Sequence, residues 1–123
     1  MIAAMISFTN LCLAAAMIES GGDANAVNRK HGAYGPLQIR QMCLADLNKH
    51  YGTKYQLYQF VGNMPLSRWA FEAYGKMYGC ATADDFVRCW HWGPRGRWEQ
   101  HPGDDYAVRV MNMYSELMQK EPK

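Results

Sequence analysis

Eight consecutive apolar residues, Leu11-Cys12-Leu13-Ala14-Ala15-Ala16-Met17-Ile18, end abruptly on Glu19 and a glycine turn, Ser20-Gly21-Gly22. The run reads as the first core helix, and it delivers a carboxyl to its own last turn. A carboxyl at the end of an apolar segment, entering a loop, is poorly hydrated. Poor hydration disfavours the charged form and raises the pKa. An acid that keeps its proton near neutral pH meets the requirement for a general acid. The plainer reading is a surface glutamate that ends a helix, where its charge meets the negative end of the macrodipole and is mildly unfavourable.

The rest of the chain is patterned for helices. The first spans about residues 8–19, and a polar loop rich in Gly, Asn and Asp follows over 20–34. Pro36 sits where the first turn of a helix tolerates it, so the second helix is expected from there to about Tyr51. Leu37, Met42, Leu44 and Leu47 would form its apolar side, and Gly52 its stop. Tyr55, Leu57, Tyr58 and Phe60 fit a short helical or extended piece. Pro65 and Ser67 open a third long helix, with Trp69, Ala73 and Met77 stacked four apart. Thr82 and Asp85 resemble a capping pair for a helix that reaches about Trp92. Gly93-Pro94-Arg95-Gly96 breaks the chain. The last helix starts near Asp104-Asp105 and turns Tyr106, Val110 and Met113 inward. Period-two alternation is absent, which leaves room for at most a small β-hairpin in the 20–35 loop. The expected class is mainly α: one domain over residues 1–123, helical, with a cleft.

Charge and cysteine usage narrow the function classes. A net charge of +2 with no Lys/Arg run argues against nucleic acid. The apolar N-terminal segment is interrupted by Ser7, Thr9 and Asn10, lacks a basic start, and falls short of a membrane span. Cys12 and Cys43 lie in apolar helical patterns, and with Cys80 and Cys89 they read as reduced structural thiols. No Cys/His spacing suits zinc, and His31, His50 and His101 look like surface residues.

Three segments combine into one pattern. The first is Ala16-Met17-Ile18-Glu19-Ser20-Gly21-Gly22 with Asn25-Ala26-Val27. The second is Gly32-Ala33-Tyr34-Gly35-Pro36-Leu37-Gln38-Ile39. The third is Arg88-Cys89-Trp90-His91-Trp92-Gly93-Pro94-Arg95-Gly96 with Tyr106-Ala107-Val108-Arg109-Val110. Together, over about residues 11–114, they resemble the soluble-lytic-transglycosylase domain, one of the goose-type-lysozyme-like glycosidases that cleave peptidoglycan. The resemblance implies an α+β lysozyme-like superfold. It implies that Glu19 is the catalytic acid of an E-S motif and that Ser20 holds the site. Gly35, Leu37 and Gln38 match a G-L-M-Q-like motif, with Gln38 on the sugar or its N-acetyl group and Gly35 required by a close backbone turn. Pro36 stands where the family more often has Leu. Trp90 and His91 stand where it usually has Tyr-Asn. Trp90 would supply an aromatic wall, whereas His91 can carry a charge that Asn cannot. Tyr106 matches a tyrosine whose hydroxyl lies near the catalytic acid.

These residues also have ordinary structural explanations. Trp90, Trp92 and Tyr106 at helical spacing suit a core as well as a sugar platform, and Gln38 on a helix would be a solvated residue. A hydrolase needs two carboxyl groups across the scissile bond. Asp23 reads as solvent-facing, so only Glu19 has a catalytic context. The resemblance then implies a non-hydrolytic cut between N-acetylmuramic acid and N-acetylglucosamine that leaves a 1,6-anhydro end. Two other readings stay open: a hydrolytic muramidase, and a glycan-binding or virion module without turnover. The expected partner is a peptidoglycan glycan strand, met as a monomer and without metal or organic cofactor. The length and the lack of an obvious secretion signal lead to the expectation of a phage-type cell-wall enzyme, an endolysin or a virion domain.

Overall fold

The computed structural model describes residues 5–96 and 105–120; His101 and Asp104 lie outside them. The protein is mainly helical, with five α-helices, one 3₁₀ turn and a two-stranded antiparallel hairpin among the described residues. Helix α1 (Phe8–Ser20) starts at Ser7, whose hydroxyl accepts the Asn10 amide at 3.3 Å. It stops at Gly21, which takes a left-handed φ of 66°. Strands β1 (Val27–Asn28) and β2 (Ala33–Tyr34) pair Val27 with Tyr34 and Asn28 with Ala33. The hairpin left open by the glycine-rich loop therefore forms, as a minimal one.

The second helix differs from expectation. Helix α2 spans Gln41–Tyr51, so Pro36, Leu37 and Gln38 precede it in a tight turn. Gln38 has a φ of 56°, which no helix accommodates. Leu44 and Leu47 face the core as expected, and Gly52 ends the helix with a φ of 67°. Leu37 is buried from the turn, while Met42 is 86 % exposed. The apolar count misplaced the start because Pro36 suits a turn as well as a helix N-terminus.

A 3₁₀ turn over Leu57–Phe60 follows, then helix α3 (Met64–Met77), capped by Asn63 and carrying Pro65 in its first turn. Helix α4 (Ala83–Gly96) opens on the anticipated reciprocal pair. The Asp85 amide donates to Thr82 Oγ1 at 3.1 Å, and the Thr82 amide reaches Asp85 Oδ2 at 3.4 Å. Gly93 (φ 84°, ψ 173°) kinks it where the sequence signalled a break. Helix α5 spans Tyr106–Gln119; Asp105 precedes it without a side-chain cap bond.

Two adjoining apolar clusters form the core. Leu11, Ala14, Ala15, Leu37, Phe71, Val87 and Val110 join α1, α3, α4 and α5. Leu44, Leu47, Phe60, Ala70, Tyr74 and Cys89 join α2 to α3 and α4. All four cysteines are free thiols. Burial pushes the Cys12 thiol up to about 12, so it behaves as an inert hydrophobe. Among the described residues no helix is long and apolar enough to cross a membrane.

The α3–α4 contact is set by Gly75, whose missing Cβ leaves room for the buried Phe86 ring. Alanine in a helix is worth about 1 kcal/mol over glycine, but forcing a methyl into a packed ring costs about 1–3 kcal/mol. Gly75→Ala is therefore expected to destabilise the protein by up to about 2 kcal/mol despite its better helix propensity. Urea unfolding of the two proteins measures the sign directly.

Candidate functional site

Glu19 lies in the last turn of α1, and its apolar run holds it partly out of water. Burial raises its pKa from the ordinary 4.5 to about 7. Two groups pull the other way. The Tyr106 hydroxyl donates to Glu19 Oε2 at 3.0 Å, and Arg40 lends a positive charge. Desolvation outweighs both, so the carboxyl keeps much of its proton at neutrality.

Tyr106 is placed by two contacts. It is buried in the α1–α5 core cluster, and the exposed ring of His91 lies flat on its ring, with centroids 3.8 Å apart and planes at 13°. Trp92 meets His91 edge-on at 4.5 Å. His91 thus backs the tyrosine that touches the acid.

Beside Glu19 runs the turn of residues 35–38. Tyr34 and Ile39 exchange both backbone hydrogen bonds at 3.0 Å, which closes it. Gly35 has a φ of 81°, and any Cβ there would strike the Phe60 carbonyl oxygen; the expected need for glycine is met. The carbonyls of the turn find donors from three directions. Gln38 Nε2 donates to Gly35 O at 2.9 Å and approaches Ala26 O at 3.3 Å. Ser20 Oγ lies 2.8 Å from Pro36 O and 3.0 Å from Ala16 O, sharing its one hydrogen between them. Trp90 Nε1 donates to Leu37 O at 2.9 Å. Ser20 and the Trp90 N–H are therefore bound to the fold, and a ligand can meet Trp90 only through its ring. Gln38 is the non-glycine residue with positive φ among the described residues.

These residues border a cleft of about 460 Å³. Glu19, Gln38, Trp90, His91 and Trp92 line one part of it, together with Pro94 and Arg95 beyond the α4 kink. Arg40 just before α2, Met42, Cys43 and Asp46 of α2, and Tyr74 of α3 also line it. Of the residues expected at the site, Glu19, Gln38, Trp90 and His91 reach the cleft. Tyr106 acts on it through Glu19, while Ser20 and Gly35 shape the turn behind it. Asp23 is exposed and accepts the Asn25 amide at 2.9 Å. The α2 wall was missed by the sequence reading. Its signal was the spacing of Arg40, Cys43 and Asp46 at three-residue intervals, hidden by placing Met42 in the core. Among the described residues, no three His, Cys, Asp or Glu side chains converge as metal ligands do. No family model, curated protein or solved structure matches the chain.

The raised pKa has a stability consequence. Between pH 4.5 and 7 the folded state holds the Glu19 proton more tightly than the unfolded chain does. Stability therefore falls as pH rises through that window, and levels off above it. The loss amounts to about 3 kcal/mol at one pKa unit per 1.36 kcal/mol. Glu19→Gln abolishes this slope, so the variant should be more stable than the parent at pH 8 and close to it at pH 4. Urea titrations at both pH values give the comparison. Tyr106→Phe removes a donor that favours the charged form, so the Glu19 pKa should climb further above 7. A carboxyl-carbon NMR titration reads that shift, and an unmoved titration would mean that the phenol does not hold the acid.

Proposed function

We propose that the chain is a lytic transglycosylase that cuts the β-1,4 bond between N-acetylmuramic acid and N-acetylglucosamine in peptidoglycan. The observation that carries this reading is Glu19 itself: a carboxyl with a pKa of about 7 on the wall of an open cleft. The cleft is of the size that small-ligand and glycan sites have, about 300–1,000 Å³. Its rings from Trp90, His91, Trp92 and Tyr74 suit the apolar faces of sugars.

Glu19 serves first as acid. It gives its proton to the bridging oxygen as the bond from that oxygen to the muramic acid C1 breaks. The substrate's N-acetyl group stabilises the oxocarbenium-like centre at C1. Glu19, now a carboxylate, takes the proton from the C6 hydroxyl as O6 bonds to C1. The carboxyl returns to its starting state, and no water is consumed. The Tyr106 hydroxyl stabilises the intermediate carboxylate. Gln38 spends its amide N–H groups on the turn, which leaves its carbonyl oxygen as an acceptor for an N-acetyl N–H.

One observation favours a second reading. Asp46 lines the same cleft as Glu19, so a second carboxyl is at hand for hydrolysis. The products decide between them, because anhydro muropeptides are lighter by one water than hydrolytic ones.

Glu19→Gln should fold and lose lytic activity on purified peptidoglycan by at least about 100-fold, the lower range of general-acid contributions. The acid must start protonated, so the parent's kcat/KM should fall as pH rises through about 7. Retained lysis in the variant would remove the assignment, and mass spectra of the released muropeptides give the reaction type.

A further inference from the structure

The cleft that Glu19 borders is also lined by residues of α2. Arg40 precedes the helix, and Cys43 and Asp46 follow at three-residue steps, each next to the one before it on the surface. All three line the cleft. At 1.5 Å per residue, the Asp46 backbone stands about 9 Å along the axis from Arg40. Arg40 marks the end near the acid, since its charge acts on Glu19. The Asp46 carboxyl is thus set off along α2 from the residue whose charge acts on Glu19.

Asp46 is half-buried, and the fold uses only one of its oxygens. The Tyr78 hydroxyl donates to Oδ2 at 2.9 Å, which fixes the carboxyl against α3. Among the described residues no cation pairs with it, and nothing donates to Oδ1. The surroundings are apolar: the exposed Met42, the ring of Tyr74, and the Cys43 thiol, which burial keeps neutral. A fixed carboxyl with one open oxygen in an apolar-walled groove accepts hydrogen bonds from hydroxyls while the wall packs a ring's C–H face. The charges of the cleft select among guests. Arg40 and Arg95 give it two cations against Asp46 and a Glu19 that keeps much of its proton, so an uncharged donor is favoured over an ammonium group.

We propose that Asp46 forms a second sugar subsite, in which its open oxygen accepts hydrogen bonds from the hydroxyls of a sugar unit lying along α2, away from the scissile bond. The inference rests on the glycan reading of the cleft, but not on turnover.

The test uses the pentamer of N-acetylglucosamine as probe, with calorimetric titration into Glu19→Gln protein so that nothing is cleaved. Adding Asp46→Ala should weaken binding by about tenfold or more, as losing hydrogen bonds to a charged group does. Asp46→Asn keeps one acceptor oxygen, for Tyr78, and offers the sugar hydroxyls an uncharged N–H donor in place of the open oxygen, so it should weaken binding less than alanine and stays informative if the alanine variant unfolds. Tyr78→Phe, which frees the carboxyl without removing it, should fall between the parent and Asp46→Ala. Equal pentamer affinity with and without Asp46 would overturn the subsite, as would no pentamer binding at all. A loss confined to peptide-bearing muropeptides, equal for Asn and Ala, would replace it with an ammonium site. Asp46→Asn in the otherwise unaltered chain that abolishes turnover while pentamer binding persists would replace it with a catalytic carboxyl. Asp46-dependent binding in a protein that releases no muropeptides would leave the subsite standing and remove the transglycosylase reading.

Discussion

The turn of residues 35–38 is the constraint on which the site depends. Its backbone cannot close without a glycine at 35, where a side chain would meet the Phe60 carbonyl, and it forces Gln38 into the left-handed region. Such a conformation costs a non-glycine residue of order 1 kcal/mol and persists only where the surroundings over-determine it. Here they do. The Gln38 amide, the Ser20 hydroxyl and the Trp90 indole each take a carbonyl of the turn. Those donors come from the turn itself, from the end of α1 and from α4, so the turn joins three parts of the chain. Ser20 is the covalent neighbour of Glu19, and fixing one limits where the other can go. Removing the Ser20 hydroxyl or the Trp90 indole would strand a carbonyl of the turn, at a cost of about 1–3 kcal/mol, whereas Gly35 O would keep the Gln38 backbone amide.

The second constraint is the pairing of α1 with α5. The helices are tied at both ends by tyrosine hydroxyls. Tyr114 accepts the Ser7 amide at 3.1 Å at the start of α1, and Tyr106 donates to Glu19 at its end. Between them Tyr106, Val110, Tyr114 and Leu117 recur at helical spacing and pack with Leu11, Ala14 and Ala15. The apolar run that buries these residues is the same run that withholds water from Glu19. Core packing and acid chemistry thus share one cause, and the helix cannot be made more polar without lowering the pKa.

How much of this could be read from the chain follows from which signals are local. The helices at 8–20, 64–77 and 83–96 announce themselves through caps, periodicity and glycine stops, and each forms close to where those signals lie. Glu19 was legible because burial of its helix and exposure of its turn are both local properties. Its contact with Tyr106, 87 positions away, is a property of packing that no single-sequence pattern contains. The turn was misread for a related reason. Pro36 fits the start of a helix, and only the fit of Gly35 against Phe60 excludes that choice. Once α2 was begun five residues early, Met42 appeared to belong to the core, and the face bearing Arg40, Cys43 and Asp46 disappeared from view. Ser20 and Trp90 show the converse: both lie at the site, but their polar atoms serve the backbone, which only coordinates reveal.

The balance at Glu19 also explains why its proton and its cleft belong together. Desolvation is the largest influence on its pKa, and the Tyr106 hydrogen bond and the Arg40 charge oppose it without reversing it. A guest that fills the cleft expels water that the carboxylate needs more than the acid does. Filling therefore favours the protonated form, and by reciprocity the protonated form binds the guest more tightly. The opposing pair then sets the limit. A carboxyl held by burial alone would keep its proton more firmly, whereas the phenol and the guanidinium stabilise the anion once the proton has left. Tyr106 must stay in register for that to work, and the flat stack of His91 on its outer face holds it there while the core holds the other side. The acid is thus poised by packing on both sides of one ring, and its chemistry is a property of how α1, α4 and α5 meet.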